Sequence, residues 1–390
     1  MVSSLFAGYG DWDSSNPGFP DIKDRRLLLL TNSCRIDPTG YRDYYMQHPH
    51  DSIVILKPEN YPPQKPLYWH IDLNKVARIH SEDMSQHGLN HSSSDGTSFS
   101  DRVSSYYTKS DWIGENIAAG YLNADETMRQ WIMDYTDYQT MKPAKDKSGS
   151  DGHRANIMSS DYLEMGAGYA YNASAQYKHY WTQDFGGGTP LFDNPISTGA
   201  HFIDDSKITF MATCKDPDEN SPQKVEVVIE NTEYSMSLFL GDTTTGCFKL
   251  EQNKGDECRD YYFKFTDSKG KSWRYPEDGV LVTSDEGGCD TQYRYQDVKI
   301  EKSPTQKGLT DKFRLSMCQN NRLTISLPKE LKTVGFSIYN LKGVKLFSKS
   351  REDISNGILK INLSTLSIGN YIILLSNERG ELFKEIFTLY

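Results

Sequence analysis

Long apolar runs are missing from this chain. The longest candidates, Arg26 to Leu30 and Tyr371 to Leu375, fall far short of the roughly 20 residues that a bilayer-spanning helix needs. No membrane-spanning helix is therefore expected. Surplus positive charge is missing as well: 43 Lys and Arg stand against 53 Asp and Glu, a formal net charge of −10. A nucleic-acid surface needs clustered Lys and Arg, and the acids here are spread along the whole chain, so nucleic acid is excluded as a partner. The first residues, Met1-Val-Ser-Ser-Leu-Phe-Ala-Gly, carry neither a basic segment nor an apolar run long enough for a signal peptide. The 25 tyrosines, the many Asn, Ser and Gly, and the crowding of cysteine into one segment are extracytoplasmic traits, so a trimmed signal is the expectation. Cysteine itself is sparse, six in 390 residues. Cys34 lies in an apolar helical pattern and reads as a buried free thiol. Cys214, Cys247, Cys258, Cys289 and Cys318 fall in a strand-rich stretch where a disulfide framework makes sense. Five is odd, so one stays free, and Cys258 with Cys289 is the favoured pair. Absent, finally, are a Gly-x-Ser-x-Gly elbow and an HExxH motif, which removes the commonest sequence signs of a serine hydrolase or zinc peptidase.

A chain of 390 residues exceeds one ordinary core, so two to four domains are expected. Leu27 to Leu30, then Cys34 and Ile36 before Asp37-Pro38, predict a buried helix that starts after Asp21 and ends before the proline. Leu73, Val76, Ala77, Ile79, His80 and Met84 share one face of a second helix, residues 72 to 88, stopped by Gly88. Asn123 or Asp125 caps a third, with Met128, Trp131, Ile132 and Tyr135 inward. Strands follow at Glu164 to Tyr171 and Tyr177 to Phe185. The Gly/Pro-rich stretch after Gly186 predicts a boundary near 187 to 196. Beyond it the pattern alternates at period two: Ile208 to Ala212, Val225 to Ile229, Tyr234 to Leu240 and Tyr261 to Phe265. Glu301 to Lys312 is a polar second linker, and six further short strands run from Leu323 to Leu389. The expected class is α+β: an α-β-α first domain at 20–190, then two all-β immunoglobulin-like sandwiches at 197–302 and 318–390.

Four short motifs in the first domain carry chemistry. They are Asn90-His-Ser, Gly114-Glu-Asn-Ile-Ala, Gly152-His-Arg-Ala-Asn-Ile and Tyr180-Trp-Thr-Gln-Asp-Phe. Two imidazoles, His91 and His153, and one carboxylate, Glu115, each beside Gly or a turn residue and far apart in sequence, must be gathered by a fold, which is the usual way a polar cavity is built. His80, on an inward helical face, reads as a satisfied core histidine. Glu164 reads as structural, Arg154 and Asn156 as ties for the His153 turn, and Trp181 and Gln183 as walls of the site.

The ordered set resembles the CAP or SCP superfamily of cysteine-rich secretory proteins, antigen 5 and pathogenesis-related proteins, from about Asp21 to Gly186. The resemblance implies a cavity lined by His91, Glu115 and His153. In eukaryotic relatives a glutamate three residues after the third helix's tryptophan completes two histidines and two acids; here that position is Asp134, one methylene shorter. His91 and His153 are then the expected ligands of zinc or another divalent cation. Since members are mostly secreted and non-enzymatic, the resemblance also implies binding of a small lipid-like ligand or of an extracellular protein or glycan. The alternatives are a His/Glu- or metal-dependent hydrolase, in which His153 and Glu115 activate water, and a surface adhesion protein in which the β-modules carry the function. In the tail, Ile338-Tyr-Asn-Leu-Lys-Gly-Val, Leu363 to Tyr371 and the strand around Lys384-Glu-Ile resemble the C-terminal sorting domain of type IX secretion substrates. That implies the secretion machinery as a partner and a secreted or cell-surface location.

Overall fold

The computed structural model describes residues 20–46, 54–190, 194–216, 218–255, 258–276 and 280–284, and beyond these the strands named below. Helix α1 (Ile22–Ile36) starts where the Asp21 carboxylate accepts from the Asp24 backbone N–H and ends at Asp37. Asp37 in turn caps α2 (Pro38–Tyr45), whose first residue is the proline that cannot continue α1. Nearly every α1 side chain is buried, Arg25, Asn32 and Arg35 with the leucines, and a helix buried all round must lie between two layers.

One of those layers is a four-stranded sheet, in the order β1 (Tyr68–Trp69), β5 (Glu164–Tyr171), β6 (His179–Gly186), β2 (Ile113–Ala119). Helix α3 (Ile71–His87) covers its other face. The approach is close: a Cβ on Gly166 of β5 would sit 2.0 Å from the Asn74 backbone nitrogen, so only glycine lets α3 lie directly on the strand. Short helix α4 (Phe99–Ser104) packs beside α3, while α5 (Ala124–Met133) and α6 (Gly152–Ile157) lie near each other, with α5 against α1. Helices therefore flank a central sheet, as the α-β-α expectation required.

Two expectations need correction. Tyr135 is not on the third helix: α5 ends at Met133, Asp134 turns into the left-handed region (φ 46°, ψ 58°), and Tyr135 opens β3 (Tyr135–Asp137), which pairs with β4 (Lys142–Pro143). Asp tolerates that backbone because its short polar chain can bond locally. The strand expected from Tyr177 begins at His179, since Lys178 also has a positive φ of 62°.

From residue 196 the described elements are strands: β7 (Ile196–Asp204), β8 (Lys207–Lys215), β9 (Lys224–Ile229), β10 (Thr232–Ser235), β11 (Ser237–Gly241), β12 (Thr245–Asn253), β13 (Asp260–Thr266), β14 (Ser272–Tyr275), β15 (Val280–Val282) and β16 (Tyr293–Arg294). They form two sheets, β11-β12-β8-β7 and β10-β9-β13-β15-β16 with β14 on β13. The stretch Tyr234 to Leu240, expected as one strand, is two that belong to different sheets; the chain crosses at Met236, whose N–H bonds Val225 and whose side chain is buried between them.

The β11-β12-β8-β7 sheet is the second layer over α1. Ala200, Met211, Leu240 and Cys247 join the same core cluster as Leu27 to Leu30. Asn32 of α1 donates to Ser197 at 3.2 Å, and Arg26 to the His201 carbonyl at 2.8 Å. This sheet also settles part of the cysteine question: Cys214 and Cys247 are both free and buried, where one free thiol was expected among five. They sit on adjacent strands but out of register, Cys247 opposite Thr213 and Cys214 opposite Gly246, so they point to opposite faces of the sheet. Cys34 is a buried free thiol, as expected. Cys258 is disulfide-bonded, and Cys289, its favoured partner, lies outside the described residues, as does the Glu301–Lys312 linker.

The tail forms a separate compact unit. Strands Arg314–Gln319, Arg322–Ser326 and Ile358–Asn362 make one sheet; Lys345–Asp353, Thr333–Asn340, Gly369–Asn377 and Gly380–Leu389 make the other. Leu323, Ile325 and Ile361 from the first meet Phe336, Ile338 and Ile373 from the second in one core.

Candidate functional site

Glu115 sits on β2 with its side chain almost fully buried. A carboxylate there needs partners, and it has them. His91 Nδ1 lies 2.8 Å from Oε1, and Arg102 of α4 donates to Oε2 at 2.6 Å. His80 Nε2 is 3.8 Å from Oε2 and 2.9 Å from the Asn90 carbonyl; burial lowers the His80 pKa, which keeps the ring neutral. Arg102 also donates to the His91 carbonyl and to Ser93 Oγ, each at 3.0 Å, so one guanidinium fastens both the carboxylate and the loop that carries His91. The His91 ring is more than half exposed.

His153 is presented from the first turn of α6. Its Nδ1 lies 2.5 Å from Asp134 Oδ1, while Asp134 Oδ2 accepts from the Arg154 backbone N–H at 3.1 Å. The left-handed backbone at Asp134 brings this shorter acid to the ring. Behind it, Arg154 is wholly buried, donating to the Ala144 carbonyl and to Asp146. Asn116 and Asn156 bolt α6 to β2: Asn116 Nδ2 donates to the His153 carbonyl at 3.2 Å, and Asn156 Nδ2 to the Glu115 carbonyl at 3.1 Å. Gln183 is buried and takes a bond from Asn116.

The four expected residues thus form two histidine–carboxylate pairs, His91 with Glu115 and His153 with Asp134. In each pair the acid occupies Nδ1, and no protein group among the described residues bonds Nε2. Carboxylate-held Nδ1 with Nε2 presented outward is the arrangement that orients metal-ligating histidines. Among the described residues, however, no three His, Cys, Asp or Glu side chains converge where they could hold a metal, whereas catalytic zinc takes three protein ligands. Glu164 is tied to Lys109 and Tyr107. A groove of about 600 Å³ between the end of α3 and β5, lined by Glu82, Gln86 and Tyr171, contains none of the four residues. Sequence reading missed Arg102 and Asp184, which faces Glu115 across the strands. Asp184 was visible within the Tyr180 to Phe185 motif, one residue past Gln183, but only pairing register shows which face it takes.

The model of the cysteine-rich secretory protein family matches residues 41–185, and that of the secretion system C-terminal sorting domain matches residues 319–388. An uncharacterized protein of Bacillus subtilis, YkwD, is 31% identical over 122 residues, 31% of this chain and 39% of that protein. The uncharacterized membrane protein YlbC of the same organism is 28% identical over 120 residues, 30% of this chain and 28% of that one. The chain thus spans well under half the length of these relatives. Among solved structures, an extracellular SCP-domain protein from Bacillus anthracis aligns with 24% identity, 33% and 34% coverage of the two chains and a TM-score of 0.24. The venom allergen-like protein 4 of Schistosoma mansoni aligns with 13% identity, 44% and 91% coverage and a TM-score of 0.28. No helix among the described residues is long and apolar enough to cross a membrane. With the fold and both family matches in agreement, the chain is a secreted or cell-surface protein that carries a CAP domain of the cysteine-rich secretory protein family and a C-terminal secretion sorting domain.

Proposed function

We propose that the CAP domain is a non-enzymatic binding module that takes a divalent cation such as zinc on the Nε2 atoms of His91 and His153. The observation that carries this reading is the paired Nδ1–carboxylate contact, 2.8 Å to Glu115 and 2.5 Å to Asp134. A ring whose Nδ1 donates to a carboxylate has an Nε2 lone pair to offer a cation. The hydrolase alternative would have His153 and Glu115 act together on water, and the observed pairing instead joins Glu115 to His91 and His153 to Asp134. The sheet-rich regions serve in this reading as immunoglobulin-like sandwiches, and the last delivers the protein to the secretion machinery.

Calorimetric titration of the tag-free full-length chain with zinc near pH 7.5 tests the proposal. Micromolar binding is expected, abolished by His153→Ala and weakened about 10- to 100-fold by Asp134→Asn, which keeps the ligand and spoils its orientation. Because free imidazole protonates below roughly pH 6.5, affinity should also fall in acid. Absence of binding at micromolar zinc, or equal affinity in the two variants and the parent, overturns it.

A further inference from the structure

We propose that Asp184 is a positioning residue of the His91 site, a neutral carboxylic acid at physiological pH whose proton is donated to Glu115, so that Glu115 is fixed to accept from His91 Nδ1. The inference does not depend on the cation reading. Asp184 on β6 is the register partner of Glu115 on β2. Directly opposed residues point to the same face, with Cβ atoms about 4.5–5.5 Å apart. Asp184 is fully buried, and neither of its oxygens meets a hydrogen-bond partner as an ionised acid. Its cross-strand neighbour on the other side is Gly166, which brings no side chain. Along its own strand stand Gly186 and Thr182, whose Oγ1 accepts from Ser81 of α3. The charged and titratable groups around the pair are few: Arg102 from α4, His80 from α3 and His91 from the loop. Arg102 Nη2 is committed to Glu115 and its Nε reaches no acceptor, so the guanidinium does not bond Asp184.

One guanidinium facing two ionised carboxylates leaves an uncompensated buried negative charge, which a carboxyl group escapes by keeping its proton. Burial first, then the Glu115 charge, pushes the Asp184 pKa well above the ordinary carboxylate range. The retained O–H needs an acceptor, and Glu115 has lone pairs to spare beyond those used by His91 and Arg102. Arg102 holds that carboxylate from one side and Asp184 from the other, while His91 is fixed as the Nδ1–H tautomer.

A raised folded pKa contributes stability that is complete below the unfolded value, about 3.9, and is lost as pH rises towards the folded value. The full-length Asp184→Asn variant, neutral at every pH and able to donate to Glu115 through its amide, removes that loss. The excess of its thermal midpoint over that of the parent should be smallest near pH 4 and widen progressively up to pH 8. Infrared spectra of the parent at neutral pH should show a protonated-carboxyl C=O band that this variant lacks, and nitrogen NMR should show the His91 Nδ1–H tautomer in both. An Asp184→Asn variant that is less stable than the parent at pH 8, a stability difference that does not change with pH, or a parent without the infrared band overturns the proposal.

Discussion

His70 makes the start of α3 acid-sensitive. It is the N-cap of the helix, its Nδ1 accepting the Asp72 backbone N–H at 3.2 Å, and only a neutral ring can accept there. The residue is 8% exposed, its ring edge set against Tyr107 with centroids 4.9 Å apart. Burial, reinforced by the Lys109 charge, lowers its pKa to about 4. The Asp72 carboxylate, 3.9 Å away, pulls in the opposite direction, but its side chain is 46% exposed and solvent screens it. In the unfolded chain the ring protonates near 6.5, whereas the native protein resists until about pH 4. Its contribution is therefore full above about pH 6.5 and lost as pH falls through that window, because below it the unfolded state binds a proton the native state refuses. The gap between 6.5 and about 4 corresponds to about 3 kcal/mol. His70→Asn keeps a capping oxygen and removes the titration. Urea denaturation of both proteins from about pH 7.5 to 4 should show the parent losing roughly 2–3 kcal/mol more than the variant. Parallel stability curves would refute the reasoning.

Two further outcomes test the covering of α1 and the role of the tail. Gly241 has a φ of +80°, and a Cβ there would lie 2.4 Å from Ile36 Cγ2 of α1 and 2.5 Å from the Thr245 carbonyl; Gly241→Ala should cost about 2–5 kcal/mol, combining left-handed strain with overpacking. The readout is the denaturation midpoint at constant slope, and a loss under about 1 kcal/mol would show that β11 does not press on α1. Deleting residues 318–390 should leave the thermal transition of the unit that joins the CAP domain to the sheets after residue 196 nearly unchanged while abolishing surface delivery in a host with the secretion machinery; normal export of the truncated chain would reduce the tail to an adhesion or stability module.

The helices were legible wherever local signals were complete. Asp21 and Asp37 bracket α1, Gly88 with a φ of 103° stops α3, and Asn123 caps α5. Such caps act within one turn, so one sequence window contains both cause and effect. Glu164 to Tyr171 was likewise legible as a strand, because its alternation is internal. What sequence could not supply was pairing. That His91 meets Glu115 and His153 meets Asp134, that Arg102 joins the first pair, and that Asp184 faces Glu115 all depend on register and on loops closing over tens of residues. The division of Tyr234 to Leu240 between two sheets was hidden for the same reason, since alternation continues across the crossing. Asp134 illustrates the opposite risk. Read as a helical residue it lies one methylene short of the familiar acid, yet the left-handed turn that takes it off the helix supplies the reach.

The double covering of α1 bears on how this protein could be cut or rearranged. A protease nicking the Gly186–Gly188 stretch would sever the backbone while the two fragments stayed associated through Leu27 to Leu30, Met211 and Cys247 and the Asn32 and Arg26 bonds. The same shared helix limits modular reuse: a CAP domain grafted elsewhere without residues 196–253 would carry a leucine face, Asn32 and Ser33 into water. During synthesis, α1 is made well before β12 and finishes its burial only when β12 has emerged more than 200 residues later, so the chain must travel with a helix that ends up buried nearly all round only half-covered.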